Sequence, residues 1–396
     1  MEQGKGKIKL AILSFSILMM GIIGIAGGLS VIGQHFSNLP QTSIQLLISL
    51  PCIVIIVVTL LVGKVQEYVP KKTLVVFGIL CFIIGGVVPA FLSSFTAILV
   101  LRSILGLGIG MLQPLSSALV VEHFDGDERS KVMGQQTSAQ MLGCAVMVLF
   151  GGYLAVIGWN ITFYVHLLAV LSLIIVLLFL PNTKPIGNTA AEGAPSGKVK
   201  LTGAAYGWVV TMFIFFIAGQ VYSVFLAFFI ETQGLGTAAQ SGLTLTFFAL
   251  GGFLMGLVFG KLMTLTKNLT LSIGFFLLGV SYLMMVYAPN INMVYAGSLV
   301  CGFAFSIVMP CIIVGTSTAV DPISAPMAIS AAMCSQNLAQ FLSPYIATPI
   351  AVAMGGDVNR SAFIFAAALV IAMGVAAILW GIAKNRREHL VTNSAF

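Results

Sequence analysis

Charge is what this chain of 396 residues has least of: 7% of residues are charged and 59% are hydrophobic, where a soluble domain carries roughly 25% charged. That excludes an ordinary soluble fold, and a mean hydropathy of +1.09 points to a chain that lives in lipid. No hydrophilic stretch is long enough to be a separate soluble domain, and no Walker sequence is present, so a nucleotide-driven machine is excluded. The six cysteines, Cys52, Cys81, Cys144, Cys301, Cys311 and Cys334, form no C-x-x-C pair and have no histidine at ligand spacing. They read as packing residues, with neither disulfide, metal nor cofactor implied. No H-x-x-x-D, H-E-x-x-H or paired acid lies in an apolar run, which argues against a membrane-embedded enzyme.

What the chain has instead is apolar runs of about 20 residues, the length that crosses a hydrocarbon core of ~30 Å. Twelve are read, at 10–33, 44–63, 73–92, 96–120, 132–157, 161–181, 205–230, 241–262, 269–289, 292–317, 325–354 and 360–383. The basic opening "MEQGKGKIKL" could introduce a cleaved signal, but the first run lasts some 24 residues and another follows. A retained span is the reading. With the N-terminus inside, 16 of the 18 Lys and Arg residues fall in cytoplasmic segments. Arg360 alone sits in an external loop and Arg102 within a span, so the positive-inside rule places both termini in the cytoplasm. The net charge of +7 is then topology, aided by anionic headgroups, and needs no nucleic acid.

The longest hydrophilic stretch, "PNTKPIGNTAAEGAPSGKVKLTG", separates six spans from six and reads as a flexible linker. This sets the expected organisation: an N-terminal bundle at 1–181, a cytoplasmic linker at 182–204, a C-terminal bundle at 205–383 and a cytoplasmic tail at 384–396. The halves repeat. A shift of 196 aligns Gly106 with Gly302, Pro114 with Pro310, Asp125 with Asp321 and Gln140 with Gln336, and a shift of 197 aligns Gly63-Lys64 with Gly260-Lys261. The fold class expected is an all-α polytopic membrane protein with twelve helices in two pseudo-symmetric halves.

Along nearly its whole length the chain resembles the major facilitator superfamily, closest in style to the bacterial drug and metabolite efflux branch. The loop after span 2, "GKVQEYVPKKT", is similar to the signature G-x-x-x-D-(R/K)-x-G-R-(R/K): Gly63 matches the leading glycine, Glu67 the acid, and Lys71 and Lys72 the basic pair, while Tyr68 and Pro70 depart. In span 4, Arg102, Gly106 and Gly108 match R-x-x-x-G-x-G. Span 5 keeps Gly143, Gly151 and Gly152 of the antiporter signature, with Met147 and Val148 in place of its central Gly-Pro, a departure that counts against antiport. The resemblance implies a gate at the cytoplasmic side. There Gly63 would let helices approach, and Glu67 would face a helix N-terminus or pair with Arg129. Glycines one turn apart, Gly106 with Gly110 and Gly252 with Gly256 and Gly260, would let helices pack backbone to backbone.

Arg102 is the puzzle. It lies six residues inside span 4, about 9 Å deep at 1.5 Å per residue, and none of the eleven acids falls within a span. Either it bonds carbonyls and organises the N-terminal half, or it attracts an anionic solute. The other deep polar groups are amides: Gln136 and Gln140 on one face of span 5, Gln336, Asn337 and Gln340 on span 11, with Gln220 and Tyr222 on span 7. The facilitator resemblance implies that spans 1, 4, 7 and 10 line a cavity flanked by 2, 5, 8 and 11, so these side chains either bind solute or join helices. His166 and His35 read as packing residues. The function expected is a monomeric secondary transporter in the cell membrane, moving a small amphiphilic or aromatic solute by alternating access. A monoanion is among the candidate solutes, efflux is the favoured direction and a proton the candidate coupling ion. Anion uptake or exchange is the nearest alternative, and a non-transporting receptor on the same scaffold is the alternative from another class.

Overall fold

A computed structural model of the chain describes residues 2–182, 201–266, 269–321 and 324–393. Most of the expected linker, with Lys184, Glu192, Lys198 and Lys200, lies outside the described residues, as does Lys267. The described residues form twelve helical rods joined by short turns. They are α1 (Lys5–His35), α2 (Gln41–Tyr68), α3 (Lys71–Phe91), α4 (Phe95–His123), α5 (Gly126–Ile157), α6 (Ile161–Phe179), α7 (Gly203–Thr232), α8 (Ala238–Thr266), α9 (Thr270–Val286), α10 (Ile291–Thr318), α11 (Ala325–Met354) and α12 (Val358–Asn393). Ten are long and apolar enough to cross a membrane; α9 has 17 residues, and α11 carries amides through its middle.

The apolar runs mark the rods, and the helices outlast them because the flanking Glu, Gln, Lys and Arg are good helix formers. The signature after span 2 is therefore not a loop. Gly63 to Tyr68 continue α2, Val69 and Pro70 are extended, and Lys71 opens α3. The backbone of α12 likewise runs helical to Asn393, through most of the expected tail. Side chains cap two starts: the Ser94 hydroxyl accepts from Ala97 N, and Asn290 Oδ1 accepts from Met293 N.

Rod α1 is not uniform. Residues Ile17–Ile23 and Ala26–Gly28 wind as 3-10 helix, an arrangement found where a helix is strained or hinged, and one that re-aims backbone carbonyls. Rods α2 and α4 carry Pro51 and Pro114 internally. Each proline lacks the N–H that would bond the carbonyl four residues earlier, and both orphaned carbonyls find donors on other rods.

By packing the chain divides into two units. The first comprises Met1–Lys198, Ser223–Thr246 and Gln336–Tyr345; the second Val199–Tyr222, Phe247–Ser335 and Ile346–Phe396. The boundary cuts α7, α8 and α11 partway along their length. For orientation, the end of the rods where α1 begins is called the base and the opposite end the crown. The crown halves of α7 and α8 and the middle of α11 thus pack within the unit that holds α1–α6.

Lipid gives helices little hydrophobic reason to associate, so close packing and small residues hold them. In the first unit, a Cβ on Gly27 or Gly152 would stand 2.9 Å from Gly242 N, and one on Gly152 2.7 Å from Ala238 O. There α1, α5 and α8 meet backbone to backbone at the crown. Gly106 presses on α2, where a Cβ would come 2.6 Å from Pro51 O. In the second unit a Cβ on Gly302, its counterpart by the shift of 196, would collide with Phe248 O on α8. The internal repeat is therefore expressed in packing: the fourth rod of each half leans a glycine on the second. The core of the first unit includes Phe15, Phe82, Leu105, Ile109 and Leu112, and in the second Phe215, Phe275 and Phe305 cluster.

Three expected close approaches are corrected. A Cβ on Gly63, Gly256 or Gly260 would meet nothing within 4 Å. These glycines face away from neighbouring helices, because a one-turn spacing says that small residues share a face but not what that face touches.

Candidate functional site

Arg102 is fully buried on α4, and the protein itself answers its charge. Pro51 cannot donate to Leu47 O, and Arg102 Nε donates to that carbonyl at 2.7 Å. The 3-10 segment of α1 offers Ile22 O, which accepts from Arg102 Nη2 at 2.7 Å. Arg102 Nη1 lies 3.3 Å from His166 Nε2 on α6. His166 Nδ1 is 2.9 Å from Phe163 O and its Nε2 3.2 Å from Gly21 O of α1, so the ring bridges α6 and the 3-10 segment beside the guanidinium. One side chain thereby ties α1, α2, α4 and α6 through charge-assisted bonds, which are roughly twice as strong as neutral ones. Pro114 repeats the device: its orphaned acceptor, Gly110 O, takes a bond from Thr59 Oγ1 at 3.2 Å.

The shift of 196 puts Ser298 of α10 at the place of Arg102. Ser298 Oγ bonds Tyr222 Oη of α7, just as Arg102 bonds α1. Tyr222, fully buried, also packs its ring 5.2 Å from that of Phe248. Gln220 is buried nearby on the same rod. These two residues belong to the second unit, and the other six expected binding residues to the first.

Gln136 and Gln140 do share a face of α5, turned toward α4 and α1. Gln136 Nε2 donates to Ser116 Oγ, which lies 3.4 Å from Ser16 Oγ, and Ser16 Oγ donates to Ile12 O at 2.7 Å. Because Ser16 spends its one proton on Ile12 O, Ser116 must donate to Ser16, giving a relay with a single proton direction. Gln140 Nε2 sits 3.2 Å from Met19 Sδ of α1. On α11, Gln340 Oε1 accepts from Cys52 Sγ of α2 at 3.3 Å, Asn337 lies alongside, and Gln336 Oε1 is buried with no hydrogen-bond donor in reach. The residues missed in the sequence are the partners in these contacts: Cys52 and Ser116 against the amides, Ser16 behind Ser116, Ser298 against Tyr222, and Gln45 on α2. Gln45 and Cys52, two turns apart on α2, carried a signal. Gln45 Nε2 donates to Val224 O of α7 at 3.2 Å, so this face of α2 meets both α7 and α11.

The base of the first unit holds its own charges. Lys71, with its side chain 8% exposed, pairs with Glu122 at 2.5 Å and ties the start of α3 to the end of α4. Arg129 donates to Phe124 O at 2.9 Å, Val121 O at 3.1 Å and Asp125 Oδ1 at 3.2 Å. It caps the last carbonyls of α4, where a cation is favoured. Lys72 Nζ donates to Leu177 O at 3.0 Å. The expected pairing of Glu67 with Arg129 is therefore corrected: among the described residues the ion pairs are Lys5–Glu128, Lys71–Glu122 and Arg129–Asp125. Arg129 of α5 is held by the end of α4 and by Asp125, and the acid that answers the signature's lysine lies on α4. Gly143, matched to the antiporter signature, is pressed on the backbone of the 3-10 segment, where a Cβ would collide with Ile17 O. Glu122→Gln should cost about 1–2 kcal/mol, because it strands a buried ammonium beside a partly wetted partner. Glu67→Gln should leave the unfolding temperature unchanged; detergent-phase melting curves of the two variants check the difference.

Twelve rods in two repeat-related sets, tied by one buried arginine in the first and a hydroxyl pair in the second, define a polytopic all-helical membrane protein. The Major Facilitator Superfamily model matches residues 10–344 and 211–395; the chain belongs to that family. It is 30% identical over 129 residues to a triacylglyceride transporter of Mycolicibacterium smegmatis, a match covering 32% of this chain and 23% of that protein. It is 23% identical over 150 residues to the multidrug transporter protein MdtP of Bacillus subtilis, covering 38% and 26%. The chain thus spans about a quarter of the length of these curated relatives. Among solved structures, a POT family transporter in complex with a thioalcohol-conjugated peptide aligns with TM-score 0.76 at 12% identity, covering 96% of each chain. A point mutant of the nucleoside transporter NupG aligns with TM-score 0.76 at 12% identity, covering 95% of this chain and 99% of that one. At such identities the likeness shows the fold alone.

Proposed function

We propose that this protein is a secondary active transporter of a small amphiphilic or aromatic organic solute, working by alternating access in the plasma membrane with both termini cytoplasmic. Export is the favoured direction, a proton the candidate coupling ion and a monomer the working form. The observation that carries the reading is the path of the packing boundary through α7, α8 and α11. Their crown parts are held in the first unit by contacts that can be unmade without breaking a helix. These are Gln34 with Glu231, Gln45 with Val224 O, Cys52 with Gln340, and the glycine contact of α1, α5 and α8. Each is a neutral or single-charge hydrogen bond or a van der Waals contact, the kind of closure a bound solute can bias. The matched transporters of other solutes, among them a multidrug transporter, support carriage of organic molecules and leave the cargo to be found by test.

Arg102 does not serve an anionic cargo in this reading. Its hydrogen bonds go to Leu47 O, Ile22 O and His166, so it braces the bundle. In proteoliposomes, counterflow decides between carrier and receptor. A labelled amphiphile outside should accumulate transiently when the same unlabelled compound is loaded inside. Uptake indifferent to internal solute, for every compound that binds, would favour the receptor.

A further inference from the structure

We propose that an apolar groove at the base of the second unit binds an acyl chain of an anionic phospholipid, with the headgroup phosphate held by basic residues just beyond the same rods. The groove has a volume of about 390 Å³ and lies between α7, α9 and α12, where its walls include Ala204, Gly207, Trp208, Thr211, Leu271 and Ala376. That size falls within the roughly 300–1,000 Å³ typical of ligand sites. The internal repeat shows why the space is there. The shift of 196 puts Ala204, Thr211 and Ala376 at the places of Ile8, Phe15 and Leu180, and in the first unit Phe15 and Leu180 are core residues with Ile8 packed against that core. Three bulky apolar side chains of the first half thus have small counterparts in the second, and the space they would fill is left as a groove. Every lining residue belongs to the second unit, so relative movement of the two units leaves the groove whole.

The lining decides the body of the occupant, and the flanking sequence decides its charge. Thr211 carries the one hydroxyl on the wall, and it already donates to Gly207 O at 2.9 Å. A polar solute would give up hydration there for little in return, whereas a hydrocarbon chain loses nothing. Trp208 lies against Gly315 of α10, where a Cβ would collide with the indole, so one wall is an aromatic ring of the kind favoured at the border of hydrocarbon and headgroup. Basic residues stand just outside. Lys200 and Lys267, both outside the described residues, are each four positions from a lining residue, Ala204 and Leu271, which limits them to about 14 Å of chain. Lys384 follows Ala376 by eight positions on α12, about 12 Å farther along the rod, and Arg386 and Arg387 come next. Against them stand Glu388 and Asp321, the latter two residues past Ala319, whose carbonyl accepts from Thr202 Oγ1 at 2.6 Å. The balance favours a phosphate at the level where a chain lying in the groove would carry its headgroup. In the orientation proposed above, this end faces the cytoplasmic leaflet.

The chain has three tryptophans, Trp159, Trp208 and Trp380, so Trp159→Phe/Trp380→Phe leaves Trp208 as a reporter on the groove wall. Brominated acyl chains quench an indole that they touch. With the full chain in phosphatidylcholine nanodiscs, a small admixture of brominated phosphatidylglycerol should quench Trp208 with an association constant about tenfold above that of brominated phosphatidylcholine with the same chains. Gly207→Leu fills the groove from a position where a Cβ would meet nothing within 4 Å. It should abolish the preference while the melting temperature holds or rises, since leucine is the better helix former. Lys384→Gln/Arg386→Gln/Arg387→Gln should lower the preference about fivefold, and soluble glycerol 1-phosphate should not compete. Equal quenching by the two lipids would overturn the proposal, as would no quenching by either, the result expected if the chain's own linker or a second copy fills the groove. So would a preference that survives Gly207→Leu or the triple substitution, or one that glycerol 1-phosphate removes. Quenching needs no transport, so a failure of counterflow leaves this result standing.

Discussion

Arg102→Gln should lower stability by about 2–6 kcal/mol, because it leaves Leu47 O and Ile22 O buried with no donor, at about 1–3 kcal/mol each. His166 loses its neighbour as well. A glutamine amide is shorter than the guanidinium and cannot reach α1 and α2 together, and Arg102→Lys, with its single ammonium, should recover only one of the two bonds. The cause can be isolated through Pro51. Pro51→Ala restores an N–H to α2 and offers Leu47 O an internal partner, so the double variant Pro51→Ala/Arg102→Gln should melt above Arg102→Gln alone. The non-additivity of that cycle measures the bond between α4 and α2. Transport of neutral and anionic solutes should fall together in Arg102→Gln. Wild-type melting with loss confined to anions would show instead that the arginine serves the cargo.

The question Arg102 raises in the sequence was half answerable there. The absence of any acid within the apolar runs rules out an ion pair, and Pro51 names one orphaned carbonyl, Leu47 O. That Leu47 faces Arg102 depends on how α2 is rotated against α4, and hydropathy carries no rotational information. Nor did the apolar run of α1 announce the 3-10 winding at Ile17–Ile23 that presents Ile22 O, since Leu, Met and Ile suit an ordinary helix equally well. The rods themselves were legible, because crossing a hydrocarbon layer demands length and apolarity together. Glycines show the same division. Gly106 and Gly110 are one turn apart just as Gly256 and Gly260 are, yet only the first pair presses on a neighbour, and Gly27 and Gly242 attracted no notice though they meet backbone to backbone with Gly152. The signature after span 2 was read with the right residue types and the wrong pairing. Lys71 is buried against Glu122, an acid 51 positions away in sequence at the end of α4, whereas Glu67 stands outside the ion pairs of the described residues. The unpartnered oxygen of Gln336 was beyond any sequence argument, since an amide's partners exist only once the helices are packed.

The crown closure makes the second large prediction, and it tests alternating access itself. Gly152 lets α5 reach α8, and any larger residue there meets Ala238 O and Gly242 at 2.7 Å. Gly152→Leu should therefore weaken the closure while leaving α1–α6 folded, at a cost typical of overpacking, about 1–3 kcal/mol. Spin labels on Asn38, in the turn before α2, and Thr237, just before α8, both exposed, report the distance across this crown by pulsed electron resonance. In the wild-type protein the account predicts two populations, a short one matching this structure and a longer one in which the crown has parted. Gly152→Leu should shift weight to the longer. A single short distance in both proteins, with Gly152→Leu merely less stable, would show that the crown does not open, and would contradict the carrier reading.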